Sequence, residues 1–352
     1  MICEAELSAA ANMQNIRGDD AERVGSVMED SGAPTEVKSS LLLRLSLMCA
    51  VSDPARSYGM MRRAFEIDPG LPSRVNGLSR PDYVYAAGEE VALEACPVCK
   101  SGGAIPHFNA FSYRMNNFAV PYSPAKLWMR CEECGNLYTY GIPKSSLQFT
   151  VSGVELVEPE EPEAGAYMTA PAPAIPLASW GNILTSIQRY TEGRALLEIG
   201  IGAYGLLAVA LEMGYDAQAV EISAAQCRDC ANTLGISVWH CDMLNFDADN
   251  KYDVVTMGDV VEHVTDPVAA LEKAYELLRD GGVLWLSTPN FESSWSRMMK
   301  WNDAMWCEPS HITWFSRDTL CALLERIGFT VREYAVSSHY NGSMEILAQK
   351  RG

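Results

Sequence analysis

LLEIGIGAYG, residues 196–205, is the stretch on which the reading of this chain turns. An apolar run ends in Glu198 and passes through Gly200, Gly202 and Gly205 into the helical text that follows. Glycine is needed where a backbone must approach a ligand closely or take positive φ. By itself the G-x-G-x-x-G spacing also fits a dinucleotide site. The surrounding text has the same grammar. Strands are expected at ALLEIG, DAQAVEI, SVWHC, YDVVTMG, GVLWLST, FTVREYAVS and MEILAQK, with helices near 181–192, 204–213, 223–234, 266–279 and 316–327. Such alternation predicts an α/β, Rossmann-like domain over 181–352, with a mostly parallel, seven-stranded sheet covered on both faces. The last two runs have no helix between them, so an antiparallel strand closes the edge.

Three acidic residues narrow the ligand. Glu198 precedes the glycines, where a carboxylate repels a pyrophosphate but suits an ammonium group reached through water or backbone. Glu221, followed by Ile222, ends the second strand about 20 residues on and is placed to grip ribose hydroxyls. Asp242, followed by Met243, ends the third strand and is placed to accept from an adenine amino group. Ribose and adenine contacts with an acid in place of a phosphate cradle describe S-adenosylmethionine better than NAD, which stays as the alternative.

These motifs carry a resemblance. EIGIGAYG, Glu221, the Cys241-Asp242 pair, YDVVTMGDVVEHV at 252–264, LWLSTPN at 284–290 and HITWFSRDTLCALLERIGF at 311–329 follow one another in a fixed order. In that order they are similar to class I S-adenosylmethionine-dependent methyltransferases, in the subgroup of ubiquinone-type O-methyltransferases and bacterial sugar and natural-product methyltransferases. The resemblance implies that Gly200, Gly202, Glu221 and Asp242 bind the cofactor, together with Glu198, Gly205, Ile222 and Met243, and that Gly258 lines its methionine end. Ala203-Tyr204 inside the loop departs from the small or polar residues common there.

Methyl transfer to an acceptor needs alignment of the reactants and exclusion of water, and a base only if the nucleophile must lose a proton. Asp259, Glu262 and His263 follow the fourth strand, where open α/β sheets place their ligands; capping the next helix is the structural reading of Glu262-His263. His311 stands before the helix SRDTLCALLERIG and, by the resemblance, faces the acceptor, which makes it the first candidate base, ahead of His263 and Glu262. His339, Tyr340 and Asn341 fall in the turn before the last strand. NFESSWSRMMKWNDAMWCEPS, 290–310, carries three tryptophans and reads either as a lid over an apolar acceptor or as packing against the sheet.

A second chemistry lies upstream. CPVCK at 96–100 and CEECG at 131–135 bring Cys96, Cys99, Cys131 and Cys134, two knuckles with the spacing of a four-thiolate zinc site. Four sulfurs leave no open position, so the zinc is expected to be structural; iron is the minor alternative. Cys227 and Cys230 read as ordinary helix residues, as do Cys241, Cys307 and Cys321.

The remaining organisation is plainer. Residues 1 to about 35 are acidic and rich in small residues, and poor order is expected there. Residues 36–90 read as helical, ending at Pro69-Gly70 and Pro72. Residues 91–150 form the zinc ribbon, and 151–180 a Pro- and Glu-rich linker. The formal charge of −18 works against binding a nucleic-acid backbone. No run approaches 18 apolar residues, and the N-terminus lacks a basic region ahead of an apolar core, so neither a membrane span nor a secretory signal is expected. The expected home is the cytoplasm. The expected partner is a small-molecule acceptor, a metabolite or sugar methylated on oxygen before carbon or nitrogen; an oligomer stays open. Two rivals stand: an RNA- or protein-directed methyltransferase docking through the ribbon, and a cofactor-binding module without catalysis. No N-P-P-Y or D-P-P-Y run follows the fourth strand, which weighs against base-amino methylation.

Overall fold

The computed structural model describes residues 32–75, 85, 87–115, 121–147, 153–159, 177–248 and 251–352. They fall into two compact units, one taking the chain to Gln148 together with Met299–Trp314, the other taking Phe149–Met298 and Phe315–Gly352. The expectation of poor order at the N-terminus lies, up to residue 31, outside the described residues, as does most of the expected linker.

The first unit begins with helices α1 (Thr35–Cys49) and α2 (Pro54–Ile67). Between them Asp53 accepts the Arg56 N–H at 3.2 Å as N-cap, with Pro54 at the first helical position. A further turn, α3 (Leu71–Val75), lies beyond Pro69-Gly70, where the helical text was expected to stop. Pro72 is compatible with it because a first turn does not need that N–H. Strand β1 (Glu90–Ala92) pairs antiparallel with β5 (Gly141–Pro143). β2 (Ala104–Ala110), β3 (Lys126–Cys131) and β4 (Leu137–Thr139) form an antiparallel sheet.

The helices and this sheet share one core rather than forming two domains. Leu43, Met61 and Phe65 pack with Tyr113 and Leu127. Asn109 of β2 donates to Ser57 Oγ at 2.7 Å, and its N–H to the Ala50 carbonyl at 3.2 Å.

The sheet is completed from far along the chain. β12 (Thr313–Trp314) pairs antiparallel with β4, Thr313 opposite Tyr138 and Trp314 opposite Leu137. Residues 299–314 therefore belong to this unit, not to the expected domain over 181–352. The physical reason is aromatic burial. Trp306 and Trp314, 4.5 Å apart between ring centres, pack with Trp128, and Trp301 stacks on Phe108 at 4.5 Å.

The second unit holds an eight-stranded sheet in the order β13-β14-β11-β10-β7-β8-β9-β6. Its strands are β6 (Glu155–Val157), β7 (Ala195–Ile199), β8 (Asp216–Glu221), β9 (Val238–His240), β10 (Tyr252–Gly258), β11 (Leu278–Pro289), β13 (Phe329–Val336) and β14 (Ser343–Lys350). Helices α4 (Leu177–Ile187), α5 (Gly205–Glu212), α6 (Ala224–Leu234), α7 (Pro267–Leu277), α8 (Ser294–Met299) and α9 (Arg317–Ile327) lie between them. The seven expected strands are present, and β14 runs antiparallel between β11 and β13. The eighth is β6, in the stretch read as linker, which pairs antiparallel with β9 and covers an otherwise open sheet edge. Cys227 and Cys230 lie on α6 in the apolar core, as expected. Among the described residues no helix is long and apolar enough to cross a membrane.

Candidate functional site

The carboxyl ends of β7 and β8 define the first part of the site. Gly200 and Gly202 take φ of +75° and +47°, the left-handed region for which glycine is suited. A Cβ on Gly200 would stand 2.7 Å from Val260 Cγ2, so that position has no room for a side chain. Tyr204 also lies in the left-handed region, φ 44°, as the N-cap of α5. Such a conformation costs an L-residue roughly 1–2 kcal/mol. It is offset by the Tyr204 hydroxyl, which donates to Asp229 Oδ2 at 2.8 Å. Gly205 opens α5 against Trp180, whose Nε1 would be 2.8 Å from a Cβ there.

Three acids lie at or just past the ends of β7, β8 and β9 and differ in environment. Glu221 is buried; its Oε2 accepts the Ile201 N–H at 3.1 Å and its Oε1 the Ser223 N–H at 2.8 Å. Asp242 accepts the Leu244 N–H at 2.8 Å. Glu198 is buried beneath the loop, and burial raises its carboxyl well above the usual range. One of its oxygens, Oε2, is buried with no hydrogen-bond partner. Beside these acids Ile222 and Leu244 are exposed (49 % and 45 %), while Met243 is buried.

The ends of β10 and β11 supply the second part. Gly258 ends β10 with the Trp285 ring 3.5 Å from where its Cβ would stand. Asp259 follows in the left-handed region, φ 52°, and accepts from Ser287 Oγ at 3.0 Å. Burial pushes its carboxyl up to about 6, with Ser287 opposing and Glu345 adding. Glu262 is fully buried, accepts from Thr288 Oγ1 at 2.9 Å, and is raised well above the usual range by burial and then by Asp259. His263 is exposed, its backbone N–H bonded to the Val260 carbonyl at 3.0 Å. Tyr204 and Asp259, both named from the sequence but not for their backbone, are strained and lie in the turns after the adjacent strands β7 and β10. Strain of this kind gathers at ligand sites.

In the same unit, α4 and the β13–β14 hairpin enclose a cavity of about 150 Å³ lined by Ser179, Asn182, Trp285, Val336, Ser338 and Glu345. The His339 ring lies 4.3 Å from that of Trp180, and burial lowers its imidazole.

The first unit carries the cysteine centre. The sulfurs of Cys96, Cys99, Cys131 and Cys134 all lie within 4.8 Å of one another, with Cys96–Cys134 at 3.6 Å and Cys99–Cys131 at 3.4 Å. A tetrahedron of Zn–S bonds of about 2.3 Å spaces its sulfurs by about 3.8 Å, so the set fits zinc. The two knuckles share one geometry. Lys100 N–H bonds the Cys96 carbonyl and Gly135 N–H the Cys131 carbonyl, and both residues have positive φ, 62° and 75°. His311, the first candidate base, belongs to this unit and is buried, on the turn that leads into β12. Lys126 was not legible as a site residue: its buried ammonium bonds the carbonyls of Glu308, Pro309 and His311. Nothing in a lone lysine within KLWMRC signals this, because its partners lie more than 180 residues away.

Comparison with known proteins covers the region that holds the glycine loop. Residues 181–334 match the model of a methyltransferase domain family. The ubiquinone biosynthesis O-methyltransferase of Rhodopseudomonas palustris is 32% identical over 105 residues, 28% of this chain and 41% of its own length. That of Methylococcus capsulatus is 30% identical over 114 residues, 30% of this chain and 48% of its own. The chain thus spans less than half the length of these curated relatives. Among solved structures, the magnesium protoporphyrin IX methyltransferase of Synechocystis is similar with 15% identity and a TM-score of 0.41, covering 49% of this chain and 83% of that one. Residues 181–334 thus carry the pattern of a methyltransferase domain.

Proposed function

We propose that the chain transfers the methyl group of S-adenosylmethionine to an oxygen, before a carbon or nitrogen, of a small metabolite, sugar or secondary-metabolite intermediate. The observation that carries this reading is Glu221, held by two backbone N–H groups at the mouth of the glycine loop with lone pairs left for ribose hydroxyls. Asp242 takes the adenine amino group, with Ile222 and Leu244 as apolar flanks. Gly200, Gly202 and Gly258 let the backbone approach the rest of the cofactor, and Glu198 lies buried at the base of the loop. Bound there, the cofactor supplies an activated sulfonium methyl group.

The chain's own part is orientation and proton handling. Glu262 is buried and accepts from Thr288 Oγ1, so it holds the β10–α7 turn in the first place. That leaves His311 and His263 to take a proton from the acceptor. Zinc in the four-cysteine centre is structural, because four thiolates fill its coordination. The acid excess favours a small acceptor over RNA.

Transfer of radiolabelled methyl to a panel of hydroxylated small molecules tests this reading. His311→Ala is expected to lose turnover and keep cofactor affinity, and His263→Ala to lose less. Full turnover in His311→Ala removes that residue from the chemistry, and labelling of RNA in place of small molecules overturns the acceptor class.

A further inference from the structure

Lys126 opens β3 with only 4 % of its surface exposed. Its ammonium donates to the carbonyls of Glu308 at 2.7 Å and Pro309 at 3.1 Å, and to that of His311. An ammonium has three N–H bonds, and three carbonyls use them all. Filling this space alone would call for a methionine; burying a charge is costly unless its hydrogen bonds are complete. The lysine therefore serves the turn 308–311, whose backbone lies in neither helix nor strand up to β12.

The same turn is fixed from two further directions. Trp128, two residues along β3, donates from Nε1 to the Trp306 carbonyl at 2.8 Å. Thr139 N–H bonds the Ile312 carbonyl at 2.9 Å, setting the register of β12. His311 thus sits between a three-pronged clamp on one side and a strand pairing on the other. Burial pushes Lys126 down to about 7, with Glu308 and Cys307 opposing.

We propose that Lys126 is a positioning residue: by gathering the carbonyls of Glu308, Pro309 and His311 it fixes the backbone from which the His311 imidazole projects. The assignment rests on the reading of His311 as the base. It makes the ribbon the element that aims this histidine.

The test uses full-length, zinc-replete protein carrying Lys126→Met, which keeps the length and removes the donors, and Lys126→Gln, which restores two of them. Zinc content and circular dichroism establish folding. The readouts are backbone hydrogen exchange over 304–314, the pH titration of the His311 ring by NMR (identified by its absence in His311→Ala), and binding of S-adenosylmethionine. Losing the three hydrogen bonds should speed exchange over 304–314 by about tenfold or more. The His311 titration should shift in Lys126→Met and return part of the way in Lys126→Gln, while cofactor affinity stays unchanged. A folded Lys126→Met with wild-type exchange and a wild-type His311 titration overturns the assignment. If that variant does not fold, Lys126→Gln decides, since its two donors leave one carbonyl unpaired and an unaltered His311 again overturns it. Failure of the base reading is separate: turnover intact in His311→Ala leaves the positioning result standing.

Discussion

Glu221 Oε2 accepts the backbone N–H of Ile201 at 3.1 Å, joining the end of β8 to the loop between Gly200 and Gly202. The other oxygen accepts the Ser223 N–H, so one carboxylate sets the loop and the start of α6 together. Glu221→Gln turns an amide NH₂ toward one of two N–H donors. Losing a charge-assisted bond of about 1.5–3 kcal/mol should weaken cofactor binding by about tenfold or more, with the fold retained. Calorimetric titration of folded Glu221→Gln checks this, and wild-type affinity would show that the loop does not depend on the carboxylate.

Gly200→Ala meets two obstacles, φ of +75° and a Cβ 2.7 Å from Val260 Cγ2. Destabilisation of about 1–3 kcal/mol is expected from the backbone and the contact combined. Gly200→Ala with Val260→Ala should recover the contact part and not the backbone part. Denaturant unfolding of the two variants and of Val260→Ala alone separates the terms.

The fold was largely legible because α/β alternation is written in local periodicity: each of the seven expected apolar runs forms a strand of the large sheet. The four cysteines were legible for the same reason, each knuckle being local. What escaped is non-local. Trp301, Trp306 and Trp314 follow β11 in sequence yet pack with Phe108 and Trp128, and no pattern within 290–314 names a partner so far upstream. The edge strand Glu155–Val157 escaped because three residues among prolines and glutamates carry too little periodicity to separate from a linker.

Asp259 should make the methyltransferase domain less stable as pH rises. Its carboxyl is raised by burial from an ordinary value of 3.8 to about 6. A raised acid binds its proton more tightly folded than unfolded, so the stability it contributes is present below pH 4 and lost as pH climbs through about 6. Asp259→Asn mimics the protonated form and tolerates the left-handed backbone. It should be more stable than wild type above pH 7, by up to about 3 kcal/mol for a shift of this size, and indistinguishable below pH 4. Urea unfolding from pH 4 to 8 gives the curve; a difference between variant and wild type that is flat with pH would contradict the raised carboxyl.

Metal removal should act on the first unit as a whole. Chelation under reducing conditions frees four thiols that hold the β3–β4 knuckle, where Cys131 N–H bonds the Asn136 carbonyl at 3.0 Å. Because β12 pairs with β4, hydrogen exchange should rise over 96–139 and over 299–314 together. Retained protection of 299–314 after complete zinc loss would show that the segment is held independently of the centre.

The proposed ligand of the glycine loop with Glu221 and Asp242 is S-adenosylmethionine. Calorimetric titration of the zinc-replete protein with S-adenosylmethionine and, separately, with NAD tests it most directly. Binding of S-adenosylmethionine is expected at about micromolar Kd, near −8 kcal/mol, weakened in Glu221→Ala, with no binding of NAD. Absence of S-adenosylmethionine binding in the folded protein, or tighter binding of NAD, would contradict it.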